Sequence, residues 1–350
     1  GRQRSMVRSA VVSAFSLPRA LALLTALAAA CTGDTPEEED RWHVVHNNLD
    51  AALFSVWGAS ATDVWAVGAD ARDGSGPLVL RFDGAAWSRL PTGEAQGDLW
   101  WVFGFPGGPV YLGGDGGVIL RYQAGAFTRL ATPGLQTIFG IWGATPDDLW
   151  AVGGASDSTG GFAWRLQGGG DTWLPEPSLP AEVATGAAVW KIYGARADDA
   201  WLVGSNGVAL HWDGAALTPG ETGVGSSLFT VHHQGGRYAA VGGHATGIIL
   251  EREGDQWVNV TPAEPPAGLA GVTLGPGGLG LAVGTFGALL TRSDAGWQEA
   301  ALGFNLGQNL HGSWIDETGG LWAVGGQTFS PPYNEGILLY RGPPLPTGGL

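Results

Sequence analysis

The stretch SVWGASATDVWAVG, residues 55–68, reads as a strand, a tight polar turn and a second strand, and it returns in degraded form along the whole chain. A repeat constrains the fold more than any local signal does. Each copy is one supersecondary unit that cannot bury its apolar face alone and must stack on its neighbours. The full unit has an inner strand (LFSVWG, residues 53–58), a second strand (VWAVG, 64–68), a third (LVLRF, 78–82), a turn at Asp83-Gly84 and a fourth around Trp87. Four strands in about 40 residues, with Gly and aromatic residues at fixed places, is the cue for a propeller blade.

The second strand recurs as VYLGG (110–114), LWAVG (149–153), AWLVG (200–204), YAAVG (238–242), LGLAVG (279–284) and LWAVG (321–325). The third recurs as VILRY (118–122), FAWRL (162–166), VALHW (208–212), IILER (248–252), ALLTR (288–292) and ILLYR (337–341). Its apolar triplet does not alternate, which suits a strand covered on both faces. Trp87, Phe127, Trp173, Trp257 and Trp297 mark the fourth strands, with Leu217 the exception. The seventh copy stops after its third strand, at Arg341, while RWHVVHN (41–47) offers Trp42 at the other end of the chain. The sequence therefore predicts an all-β, seven-bladed propeller of four-stranded blades whose last blade is closed by the N-terminal strand. Closure removes the open edges that a linear array would expose. No amphipathic helix is expected after residue 40.

The predicted organisation is a leader over 1–31, a tether over 32–40, the propeller over 41–344 and a tail over 345–350. Basic residues open the leader, and residues 20–30 are an apolar run too short to span a bilayer, the pattern of a secretory signal. The run ends in LAAAC, which resembles a bacterial lipobox with small residues before Cys31, the only cysteine; Ala28 stands where Leu is preferred. What that resemblance implies is lipid attachment at Cys31 and a place in the cell envelope. Thr32 after the cysteine favours the outer membrane by analogy with enteric lipoproteins. The tether, TGDTPEEED, has nothing to bury and is expected to be disordered.

The chain carries 17 Lys and Arg against 32 Asp and Glu. Four of the basic residues, Arg2, Arg4, Arg8 and Arg19, fall in the leader, which leaves 13 against 32 in the mature chain, a net charge of −19. That balance argues against nucleic acid and anionic lipid as partners.

In a blade, the second-to-third loops and the links between blades share one face. Here that face carries the irregular segments: ADARDGSG (69–76), GASDSTGG (154–161), GQTFSPPYNEG (326–336) and the long link LPEPSLPAEVATG (174–186). Varied loops on a rigid scaffold make a recognition surface, with Asp70, Arg72, Asp73, Asp157, Glu182, His244, Tyr333 and Asn334 as its candidate residues. Lys191, the only lysine, falls on an inner strand where the other blades hold Ser55, Trp101, Gly140, Thr230, Gly271 and Gly312. It is the candidate channel residue, expected to pair with a carboxylate or reach solvent along the axis; an anionic ligand is the alternative.

Other motifs fail on context. GPGGLG (275–280) falls in a strand–strand turn, with no helix behind it to receive a phosphate. Asp70, Asp73 and Ser75 lack the remainder of a calcium loop. His43 and His46, three apart on a strand, are expected on opposite faces, unable to share a metal, and His232 and His233 likewise. No cofactor is implied.

From residue 41 to 341, the pattern VWG-x4-D-VWAVG followed by an apolar triplet, Arg, an aromatic residue and D-G-x-x-W resembles the propeller repeats of secreted myxobacterial-type lipoproteins. It is also similar to degenerate BNR/Asp-box and tectonin-type repeats, SDAGW (293–297) being the nearest to an Asp-box. Such repeats specify a blade rather than an activity. The expected function is a monomeric, lipid-anchored, non-catalytic scaffold whose partner is an envelope protein. A lectin, with Phe329 and Tyr333 stacking on sugar, is the alternative. A sialidase is disfavoured because Arg81, Arg121 and Arg165 fall in third strands, away from the axis.

Overall fold

The computed structural model describes residues 41–345, all within the unit Pro36–Leu350. Cys31, the tether and residues 346–350 lie outside the described residues. Seven antiparallel sheets of four strands each form the ring. In blade one the order from the axis outward is Leu53–Ser60, Asp63–Asp70, Pro77–Phe82 and Trp87–Arg89. In blade seven it is Asn309–Ile315, Leu321–Gly326, Gly336–Arg341 and then the N-terminal strand Trp42–Leu49. Trp42 lies opposite Arg341 and His43 opposite Tyr340, so the last blade is closed by the other end of the chain, as the repeat pattern predicts. Trp42 stands against Arg341 as Trp297 does against Arg292 in blade six.

Two glycine positions in the repeat are there because another group occupies the space of a side chain. The Gly that closes each VWAVG-type motif meets a carbonyl at or just before the start of its own inner strand. A Cβ on Gly68, Gly153 or Gly325 would overlap the carbonyl oxygen of Ala52, Thr137 or Asn309. The next residue uses that oxygen as its acceptor, Ala69 N donating to Ala52 O at 2.9 Å and Thr285 N to Gly268 O at 2.8 Å. The Gly of the inner-strand aromatic-Gly pair (Trp57-Gly58, Phe103-Gly104, Tyr193-Gly194) instead makes room for the preceding blade: Trp314 lies over Gly58, Trp57 over Gly104 and Trp142 over Gly194. The contact thus runs across the blade interface, one blade's indole against the next blade's glycine.

The remaining repeat residues knit the outer strands. Arg81 pairs with Asp63 at 2.9 Å and lies 5.1 Å above the Trp65 ring, and Arg165 pairs with Asp148 at 2.6 Å and lies 4.5 Å above Trp150. Between blades five and six, buried Glu251 accepts from Arg292 Nε and Arg237 Nη1, each at 2.6 Å, and from Trp297 Nε1 at 2.7 Å. Each Asp-Gly turn is set by its own carboxylate, Asp83 Oδ1 accepting from the amides of Ala85 and Ala86.

Two expectations are corrected. The link between blades three and four forms a short helix, Ala181–Gly186, entered at Pro180 and anchored by buried Val183; a segment this short forms only because it is packed down. In the closing strand a bulge at Val45 places His43 opposite Tyr340 and His46 opposite Leu338. The bulge cancels the alternation, so the two histidines share a face. Among the described residues no group of three or more His, Cys, Asp or Glu is arranged to hold a metal.

Candidate functional site at the mouth of the axial channel

In every blade the pairing of inner and second strands slips by one residue near the loop face. Blade one pairs Leu53 with Gly68 and then Ser55 with Val67, which leaves Phe54 unpaired. The residues skipped in the other blades are Trp100, Phe139, Trp190, Phe229, Ala270 and His311. A bulge re-aims the side chain it carries, and here six of the seven are aromatic. They form a belt. Phe54 stacks on Trp100 at 4.0 Å, and Phe139 follows at 5.4 Å from Trp100. Trp190 lies 4.9 Å from Phe139, and Phe229 6.2 Å from Trp190. His311 closes on Phe54 at 5.2 Å, and Ala270 leaves one gap. Phe54 is fully buried at the base, while the other rings are partly exposed.

Two residues expected on the loop face join this belt. Tyr333 sets its ring edgewise to Phe54 at 5.3 Å and to Trp100 at 5.6 Å. His244 packs on Phe229 at 5.0 Å.

The bulges also strand carbonyls, and neighbouring blades satisfy them. His311 Nδ1 donates to Phe54 O at 2.7 Å, Thr230 Oγ1 to Ala270 O at 2.6 Å, and Lys191 Nζ to Phe139 O. The sequence predicts that Lys191 pairs with a carboxylate or reaches solvent; the structure corrects this, because Lys191 is buried and donates to a main-chain carbonyl instead. It is buried in a small chamber below the belt with Ser55, Thr230 and His311, its ammonium 4.4 Å from the Trp101 ring. Burial pushes its pKa down to about 7. Burial, and then the charge of Lys191, push that of His311 down to about 4.

Beside the belt, blades one and two contribute three linked carboxylates. Asp70 accepts from the amides of Arg72 (2.7 Å) and Gly97 (3.2 Å), and donates its own amide to Asp98 Oδ1 at 2.9 Å. Asp115 accepts from the Asp98 amide at 3.2 Å, from Trp100 Nε1 at 2.9 Å and from Thr137 Oγ1 at 3.1 Å. Asp70 and Asp98 are only 7% and 4% exposed. Burial pushes the Asp98 carboxyl up, and burial followed by the charges of Asp98 and Asp115 does the same to the Tyr333 phenol. Among the described residues no basic side chain comes within ion-pair distance of the three. Asp70, Arg72, Asp115, Glu94 and Arg129 line a cleft of about 690 Å³ alongside.

The other expected residues stay apart. Asp73 and Asp157 cap their own loops, Asp73 through the amide and hydroxyl of Ser75 and Asp157 through those of Thr159. Those hydrogen bonds hold both carboxyls below the usual range. Glu182 is exposed on the short helix. Asn334 acts through its carbonyl, which accepts from Gln327 N and pins the blade-seven loop.

Phe286 is a further feature of this face. It sits in the left-handed region (φ 55°) and is 78% exposed, where blades two and four place Gly116 (φ 64°) and Asn206 (φ 57°). That conformation costs a bulky residue on the order of 1 kcal/mol, and it is held by the Phe286 amide donating to Asn309 Oδ1 at 3.0 Å. Leu135, Phe304 and Phe329, all exposed, also lie in loop-face segments.

No family model matches the sequence, and no curated protein does. The fold is similar to that of YCF48 solved with a D1 peptide, which is 14% identical at a TM-score of 0.65 over 87% of this chain and 98% of that one. It is similar also to streptogramin B lyase (15% identical, TM-score 0.64, 85% and 97% covered). The WD40 repeats of RRP9 are a third likeness, at 10% identity and a TM-score of 0.66 over 86% and 97% of the two chains. Likeness at these identities is one of architecture: the chain is a seven-bladed β-propeller.

Proposed function

We propose that this propeller is a non-catalytic scaffold of the bacterial cell envelope, anchored by lipid at Cys31, that binds another protein across the loop-face mouth of its channel. The aromatic belt carries the reading. Six bulges re-aim six rings toward one end of the channel, five of them partly exposed over buried Phe54, and such side chains supply large, rigid contact area at little entropic cost. A solved propeller of the same architecture holds a peptide. The arginines that a sialidase would need at the axis are engaged elsewhere, Arg81 and Arg165 on Asp63 and Asp148 and Arg121 on Asp171.

The test is capture from detergent-solubilised envelope with three baits: the parent chain, a Trp190→Ala/Tyr333→Ala variant and an Asp73→Ala/Asp157→Ala variant. A protein captured by the first and third and lost by the second supports the reading; equal capture by all three, or by none, defeats it. Binding to a glycan array, lost with Tyr333→Ala and unaccompanied by any protein, would establish the lectin instead. Palmitate labelling abolished by Cys31→Ser tests the anchor.

A further inference from the structure

The belt and the acidic cluster meet at Trp100. Its indole N–H is committed to Asp115, its face stacks on Phe54, and its edge meets Tyr333. Donating that N–H to a carboxylate makes the indole more electron-rich, and Trp is the best aromatic face for a cation. Three carboxylates, two of them buried, stand beside it, and among the described residues no basic side chain comes within ion-pair distance of them, Arg72 acting on Asp98 only at longer range. Desolvated carboxylates that lack an ion-pair partner favour a ligand that brings a cation into contact with them. A bare metal ion fits poorly, because main-chain and indole N–H groups already occupy oxygens of all three. Anionic ligands meet the field of a chain with net charge −15. Elsewhere on the loop face, Phe286 is exposed and the rings of Phe229 and Trp190 are partly so.

We propose that the mouth takes an extended, basic peptide segment of the partner, one Arg or Lys side chain lying on Trp100 and Tyr333 against Asp98 and Asp115, and an apolar neighbour lying on Phe286. This rests on the protein-binding reading above and names the chemistry of what is bound. Arg suits the seat better than Lys, since its planar head stacks on the ring and reaches a carboxylate edge at once.

The experiment is titration of the full-length chain, in non-ionic detergent, with short synthetic peptides alternating Arg and Leu, followed by calorimetry and tryptophan fluorescence. Counterparts carry Gln or Glu in place of Arg, or Ser in place of Leu. The Arg–Leu peptide is expected to bind at least about tenfold more tightly than the Gln–Leu one, with an affinity that falls as salt rises; the Glu–Leu peptide is expected not to bind. Asp98→Asn should erase the preference for Arg over Gln. Phe286→Ala, at an exposed position that leaves the fold intact, should weaken the Arg–Leu peptide and leave the Arg–Ser peptide unchanged. Equal binding of the Arg and Gln peptides, tighter binding of the Glu peptide, or no binding of any peptide overturns the proposal. Envelope capture lost with Trp190→Ala/Tyr333→Ala while no basic peptide binds would retain the scaffold and discard the basic segment.

Discussion

Trp314 of blade seven lies over Gly58 of blade one, so that a single added methyl at Gly58 would fall within the indole. The contact joins the last blade to the first. Gly58→Ala should cost about 1–3 kcal/mol through overpacking. Trp314→Ala should cost about 3 kcal/mol, the low end for a large aromatic ring, because the side chain is only partly buried. The double variant should lose less than the two singles together, since the new methyl occupies space the indole vacates. Urea unfolding of the four proteins checks this, and strict additivity would mean that the two residues do not meet.

Removal of residues 41–47 should destabilise the whole ring rather than fray one end. Strand Gly336–Arg341 would lose its outer partner and present an open edge. Thermal melts should shift down, and light scattering should rise on heating. A truncated chain that melts like its parent would show that closure by this strand adds nothing.

Glu251 should make stability depend on acid. Burial alone would raise its carboxyl, but hydrogen bonds from Arg292 and Trp297 and the charges of Arg292 and Arg237 hold it below its ordinary value. A carboxyl lowered on folding stabilises the protein above its unfolded pKa, and that contribution fades as pH drops through the folded value. Glu251→Ala should cost about 3 kcal/mol at neutral pH by leaving Arg292 without its partner. The difference between parent and variant should shrink steadily below pH 4. A difference constant from pH 7 to pH 3 would rule the mechanism out.

Lys191 should act in the opposite range. Its folded pKa near 7 lies below that of an exposed lysine. Between those two values the unfolded chain binds a proton that the folded one does not, so stability should rise with pH across that window. Lys191→Met should abolish that rise while giving up the hydrogen bond to Phe139 O. Urea midpoints at pH 7 and pH 9.5 decide it: parallel changes in the two proteins would place the ammonium in water.

Most of the architecture was legible because a blade repeats its physical constraints seven times. The Asp of DVWAVG recurs because Arg pairs with it above the Trp ring, and the closing Gly recurs because a carbonyl fills its Cβ space. The belt was equally present, as an aromatic residue in six inner strands, but it is invisible to strand periodicity. A bulge breaks the alternation on which that reading depends, so periodicity points to the next position, that of Lys191. Asp98 and Asp115 were missed for a different reason. They come from a link and from a turn, and only the fold puts them beside Asp70. Asp73 and Asp157 were singled out for being acidic and in loops, yet each is spent on capping its own turn.

The direction of the closing strand fixes where the described chain joins the ring. Trp42 lies against Arg341, at the end of a strand that has run away from the loop face, and Leu49 lies against Gly336, where that strand begins. The chain therefore enters the disc on its outer rim at the side opposite the belt.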